Sequence, residues 1–399
     1  MRKVLSFTAM VTLFPAAATG QEIGELLARM RQMEERINAL EEEVRSLKSQ
    51  PAPQAPAAIT TPTPSGSLPY YGGASALSKI FNPDMSVIGT FLGSAGSGAV
   101  GAIPALQMTE TEVALQAIVD PYARADFFLS FGERGAGLEE GYLTFPALPG
   151  GLQLRAGKMR AAFGKVNLMH LDSLPWADRP LATQNLLGGD EGISDAGVSV
   201  SRILPAPGKI FLEATGQVFR GEVEDLFVPW RRGDVAAVGH VRGYRDLTES
   251  TNLELGASYA RGPSPEGPSL LNRLYGVDAT LRWKPLRRSI YRSFLGRSEL
   301  VWARTGLPER EAKAFGYYVS GEYQFARRWR AGGRFDRSDQ MAFPFLRDTG
   351  ASLLLTYRPS EFSPLRGQLR RTRFGGGVTA NEFLIQLQFS LGVHGAHPF

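Results

Sequence analysis

The sequence predicts an all-β fold: a transmembrane antiparallel β-barrel of about 16 strands over residues 81–399, preceded by a short coiled-coil helix and a Pro-rich linker. Three observations carry this. From Phe81 onward, apolar and polar residues alternate with a period of two in segments of about ten residues, each with one apolar and one polar face. Short turn-rich breaks alternate with longer ones, as in barrels with tight turns at one end and loops at the other. Past the N-terminus no run of 18 or more apolar residues occurs, which excludes a helical membrane protein. The 399 residues contain no Cys, so disulfides, thiol nucleophiles and Cys-based metal sites are excluded, and 4 His leave little for histidine metal chemistry.

Residues 1–20 read as a secretory signal. Arg2 and Lys3 form the positive start, Val4 to Phe14 the apolar stretch, and Ala16, Ala17, Ala18 and Gly20 the small-residue end, with cleavage after Gly20 or after Ala18. An exported chain has little use for nucleic acid, despite a net charge of +5. Residues 21–49 read as a periplasmic coiled coil, its seam Ile23, Leu26, Met30, Met33, Ile37, Leu40, Val44 and Leu47 spaced alternately three and four apart. The seam favours self-association, as dimer or trimer, over one amphipathic helix lying on its own protein. Residues 50–80, with Pro51, Pro53, Pro56, Pro62, Pro64 and Pro69 among Ala, Thr and Ser, read as a semi-rigid linker.

The barrel strands follow. Phe127, Leu129 and Phe131 alternate with Arg124, Asp126 and Ser130. Phe315, Tyr317, Val319, Tyr323 and Phe325 alternate with Ser320, Glu322 and Gln324, and Phe383, Ile385, Leu387, Phe389 and Leu391 with Gln386, Gln388 and Ser390. A polar face with charges in mid-strand suits a wet lumen and not the dry interior of a sandwich. Pore-lining candidates on that parity are Arg124, Asp126, Arg155, Glu213, Arg282, Arg297, Glu299, Glu322, Arg330, Arg334 and Arg370. Inward guanidiniums raise local anion concentration; alternatively the acids neutralise them as wall ion pairs. Residues 201–399 carry 29 bases and 19 acids, residues 84–200 only 7 bases and 13 acids.

The longer breaks, 161–193, 220–234 and 338–347 among them, are placed at the outer end, open to protease. The longest, 161–193, either enters and narrows the lumen or lies on the surface; Asp172, Trp176, Asp178, Arg179, Asp190 and Glu191 are its constriction candidates. Phe399 closes the last amphipathic strand as a signal for the barrel-insertion machinery.

In residues 81–89 (FNPDMSVIG), 120–127 (DPYARADF) and 154–164 (LRAGKMRAAFG), the chain resembles the phosphate-selective porin O and P family of outer-membrane porins. The resemblance implies a 16-stranded, usually trimeric barrel passing small ions and nutrients, with phosphate selectivity in those members that carry an arginine and lysine ladder. No such ladder is matched residue by residue.

Catalytic and cofactor chemistry is not expected. Residues 96–101 match GxGxxG, but Pro104 and no amphipathic helix follow. His394 and His397 fall on opposite faces of a strand, and the adjacent pairs Glu139-Glu140 and Asp190-Glu191 point apart in extended chain. His170 and His240 show no evident partner. The expectation is a non-enzymatic outer-membrane porin for small hydrophilic or anionic solutes, without cofactor or metal, surrounded by lipid and self-associated. A structural anchor tethering the envelope through the coiled coil is the alternative.

Overall fold

The computed structural model describes residues 83–97, 104–133, 135–360 and 362–392. The signal, coiled-coil and linker readings, Phe399, His394 and His397 lie outside the described residues. The first eight strands are β1 (Asp84–Ser97), β2 (Leu106–Asp120), β3 (Ala123–Gly132), β4 (Gly135–Leu148), β5 (Leu152–Arg160), β6 (Ser194–Leu204), β7 (Phe211–Phe219) and β8 (Ala236–Thr248). The rest are β9 (Thr251–Pro263), β10 (Leu271–Trp283), β11 (Ser293–Gly306), β12 (Glu311–Ala326), β13 (Trp329–Asp339), β14 (Arg347–Tyr357), β15 (Leu365–Arg373) and β16 (Thr379–Gly392). Each strand pairs antiparallel with its neighbours in sequence, and β1 pairs with β16 from Ser86↔Gly392 to Ser97↔Asn381, which closes the barrel. The expected architecture of about sixteen strands is the one observed.

Period-two patterning fixes the faces. On β10, Asn272, Leu274, Gly276, Asp278 and Thr280 are buried while Tyr275, Val277 and Leu281 are exposed. Closure removes every sheet edge, so the outward row of Leu, Val, Phe, Tyr and Trp is a continuous apolar belt, not an aggregation edge. Aromatic residues rim the belt at both ends on β9 to β12: Tyr259, Tyr275, Trp302 and Phe315 on one side, Trp283, Phe294 and Tyr323 on the other.

The inward face departs from expectation in one sector. On β8 to β12 it is apolar near the loop end, where Ala236, Val238, Ala260, Leu274, Val301, Ala303 and Ala314 are buried. These small residues pack against Phe163, Leu186, Leu187 and Ile193 of the long β5–β6 connection and Val223, Leu226 and Phe227 of the β7–β8 connection. Two loops thus share an apolar core with the wall.

A second departure is local. The β3–β4 register shifts between Phe128 and Leu129: Phe128 faces Glu140 and Leu129 faces Leu138, leaving Glu139 as an extra residue. A bulge of this kind breaks strict alternation. Glu139 and Glu140 therefore do not point apart; both carboxylates bond groups in the lumen.

Candidate functional site

The connection from β5 to β6 crosses the lumen. Ala161 N–H donates to Ile193 O at 2.8 Å, which ties its two feet together. Two short 3-10 turns (Val166–Leu168, Leu171–Ser173) and a helical turn, α1 (Leu181–Leu186), fold the segment inside. Gly164 has φ +62°, and a Cβ there would collide with the Glu299 carboxylate. Only glycine lets the chain turn inward this close to the wall.

Its orphan polar groups are satisfied by side chains projecting from the strands. Gly164 N–H donates to Ser258 Oγ (2.9 Å) on β9, and Lys165 and Val166 N–H donate to Glu299 Oε1 (3.1 and 2.7 Å) on β11. Lys165 Nζ reaches Glu254 on β9 at 2.8 Å. Burial pushes the Lys165 amine down, with Glu254 opposing. On the far side Leu181 N–H donates to Asp336 (3.2 Å), Asn185 to Asp348 (2.9 Å) and Gln388 Nε2 to Asp172 O (2.7 Å).

Two charged clusters do most of the anchoring. In one, Asp178 bonds Arg334 at 2.8 Å, Arg370 at 2.9 Å and Gln368 at 2.6 Å, while Arg334 also bonds Asp336 at 2.7 Å. Burial would raise the Asp178 pKa, but Arg334 and Arg370 outweigh it and bring it down to about 2. Arg334 lies under the Trp176 ring at 4.9 Å, and Trp176 meets Tyr318 edge-on at 5.3 Å. Arg179 is buried and donates to the loop's own carbonyls at Val166 (3.2 Å) and Met169 (2.9 Å), stiffening the loop and not the wall.

The other cluster centres on His170, only 3% exposed. Its Nδ1 lies 2.6 Å from Glu112 and 3.1 Å from Glu139, and its Nε2 lies 2.6 Å from Glu140. Phe128 stacks against the ring at 4.9 Å, and Arg160 bonds Glu139 at 2.7 Å. Burial works against charge on the ring, but bonds to Glu112, Glu139 and Glu140 prevail and hold the imidazolium pKa well above its ordinary value. Oxygen and imidazole donors would suit a divalent cation, and ligand atoms of Glu112, Glu139 and His170 lie within 4.8 Å of one another. Both ring nitrogens are already bonded to carboxylates, the arrangement of a protonated histidine.

His170 thus has three carboxylate partners, contrary to the sequence reading, and His240 is hydrogen-bonded to Ser258 at 2.8 Å. Most inward arginines from the sequence are in ion pairs: Arg124 with Asp126 (2.8 Å), Arg282 with Glu254 (3.4 Å), Arg330 with Glu322 (2.9 Å), and Arg370 with Glu382 (2.6 Å) as well as Asp178. Glu213 pairs with Arg242 at 2.6 Å, and Arg155 lies over the Tyr142 ring at 5.3 Å. Asp172, Trp176, Asp178 and Arg179 lie within the barrel, whereas Asp190 and Glu191 are exposed at the loop's foot, Asp190 bonding Gln184 at 2.9 Å.

Between residues 172–175 and the wall opens a cavity of about 800 Å³ toward the end of the barrel that carries Asp84 of β1 and Gly392 of β16. Arg282, Lys284, Arg297, Arg330, Arg358 and Arg366 line it, against Asp172 and Glu322. Among the described residues Arg297, Arg358 and Arg366 have no ion-pair partner within 4.0 Å, so the vestibule is basic after internal pairing. Arg358 and Arg366 were not singled out in the sequence; Arg366 shares the inward parity of Arg370, a signal within reach.

No family model matches the chain. An uncharacterized protein of Aquifex aeolicus (strain VF5) is 30% identical over 332 residues, covering 72% of this chain and 69% of that protein. The chain belongs to the same family as that protein. Among solved structures, an anion-selective porin from Comamonas acidovorans aligns with TM-score 0.54 at 12% identity, over 77% of this chain and 98% of the other. Pseudomonas putida OprB aligns with TM-score 0.55 at 12% identity, over 79% and 95%. OmpT, an outer membrane protein of Vibrio cholerae, aligns with TM-score 0.51 at 10% identity, over 77% and 97%. At these identities the likeness shows the shared barrel fold.

Proposed function

We propose that this protein is an outer-membrane channel through which small hydrophilic solutes diffuse passively, with a modest preference for anions of the phosphate class. The observation that carries the proposal is the basic cavity beneath the inward-folded loop, within a barrel whose outside is apolar. From Tyr275 to Trp283 the belt runs eight residue steps, about 27 Å along the strand. At a tilt of about 40° this gives roughly 20 Å of height, close to the apolar band of about 25 Å in outer-membrane barrels. The solved barrels it resembles include an anion-selective porin and an outer membrane protein, which supports the same reading.

On this reading the ends carrying the tight turns and both termini face the periplasm, as does the N-terminal segment, and the long loops face outward. An entering anion meets Arg297, Arg358 and Arg366, whose charge is not spent on neighbouring acids. Screening acts within about 8–10 Å at physiological ionic strength, so the preference strengthens in dilute salt. Self-association as a trimer, through the barrel wall or the Ile23 to Leu47 seam, belongs to the same proposal, as does delivery by the barrel-insertion machinery.

The test is solute uptake by proteoliposomes. Swelling in small neutral sugars, and faster uptake of inorganic phosphate than of a cation of similar size, is the expected result. Liposomes that hold folded protein yet admit neither solute would overturn the proposal.

A further inference from the structure

We infer that the outer wall over β9 to β12, at the loop end, binds the phosphate groups of a phosphorylated glycolipid of the lipid A type. This rests on the proposed orientation, in which that end meets the cell-surface leaflet. Four outward cations stand side by side in direct register: Arg261 opposite Arg273, Arg273 opposite Arg304, and Arg304 opposite Lys313. Strands lie about 4.8 Å apart, so the row spans roughly 14 Å.

Like charges directly opposite in a sheet repel and destabilise it. A single carboxylate relieves this row: Glu311 lies 2.8 Å from Arg273 and 3.8 Å from Arg304. Among the described residues Arg261 and Lys313 have no ion-pair partner. Arg337, further round on β13, adds another outward cation between Tyr317 and Thr349. A cluster that repels itself is accounted for when an anion completes it.

The floor beneath the row says which kind of anion. One pleat toward the barrel centre, Tyr259, Tyr275, Trp302 and Phe315 form a matching aromatic row, with Trp302 and Phe315 rings 5.2 Å apart. A groove of about 370 Å³ is lined by Tyr275, Trp302, Phe315, Arg304, Lys313 and Asp339, the last already paired with Arg347 at 2.7 Å. A free phosphate ion would use the cations and leave the aromatic floor wet. A lipid uses both, its phosphate on the guanidiniums and its acyl chain on the rings. Arginine suits phosphate through its planar fork of donors. A headgroup carrying more than one phosphate fits a row of this length better than a phospholipid does.

Native mass spectrometry of the detergent-purified barrel tests this with lipid A, its fully dephosphorylated form and phosphatidylglycerol as probes. The parent should retain lipid A, lose it on competition with its own excess but not with inorganic phosphate, and retain the other two lipids weakly. Replacing Arg261→Gln, Arg304→Gln and Lys313→Gln together should weaken retention roughly a hundredfold, at about fivefold per cation. E311Q should strengthen it, an outcome that damage to the fold would not produce. Equal retention by parent and triple variant would overturn the inference, as would equal retention of dephosphorylated lipid or phosphatidylglycerol. The readout does not depend on conductance, so a barrel that binds lipid A but passes no solute would refute the channel reading alone.

Discussion

Replacing His170 with Leu removes the partner shared by Glu112, Glu139 and Glu140. The ring is 3% exposed and its three contacts are at 2.6, 3.1 and 2.6 Å. Removing one side of such a buried pair costs roughly 3–5 kcal/mol, because Glu112 and Glu140 lose their charged side-chain partner while Glu139 keeps Arg160. That shifts docking of the segment around Met169 to Ser173 by roughly two to four orders of magnitude. The two feet of the loop and the Asp178 cluster remain, so the barrel stays closed while this segment swings free. Single-channel recording in planar bilayers reads the result: the parent should give a quiet open level, and H170L a larger, noisier one. Protonation gives a second readout. The folded-state pKa of His170 lies above its unfolded value, so its contribution is complete below about 6.5. The contribution is lost as the pH rises through the folded value. Parent channels should therefore become noisier on the alkaline side, while His170→Gln channels should show no such dependence. An H170L level as steady as the parent's at every pH would refute this anchoring role of His170.

Replacing Arg297 and Arg366 together by Glu should move the zero-current potential in a salt gradient toward cations, most of all in dilute salt. G164V places side-chain atoms against Glu299 at a backbone angle L-residues rarely adopt, so it should lower the unfolding temperature in detergent and raise conductance by displacing the loop. Protease added to intact cells should cut at the exposed Phe343 and Phe345 of the β13–β14 loop and spare residues 161–189, which a surface loop would not survive; peptide mapping decides. Leu40→Asp should weaken oligomers on native gels if the N-terminal seam assembles them.

The strands were legible because lipid and water impose opposite demands on alternate residues, and segments such as Phe383 to Leu391 repeat that demand without ambiguity. Turns were legible through Pro and Gly. The site was less so. His170 finds its partners 30, 31 and 58 positions away, and no local spacing connects them. Glu139 and Glu140 share a side only because of a one-residue bulge that strict alternation hides. On β8 to β12, alanine stands on both faces, so the sequence did not distinguish a wall that meets water from one that meets Phe163 and Leu186. The inward arginines were found by parity. Parity does not tell Arg330, paired with Glu322, and Arg334, locked between Asp178 and Asp336, from Arg297 and Arg366, which keep their charge for the cavity.

The proposed path is water-filled and biased toward anions by the unpaired arginines beneath an inward-folded loop. The measurement that bears on it most directly is the zero-current potential of the purified parent protein in a dilute KCl gradient across a planar bilayer. Stable unit conductance and a potential of the sign set by chloride, shrinking as salt is raised, are the expected result. Unit conductance with a potential set by potassium, or folded protein that conducts no current, would contradict it.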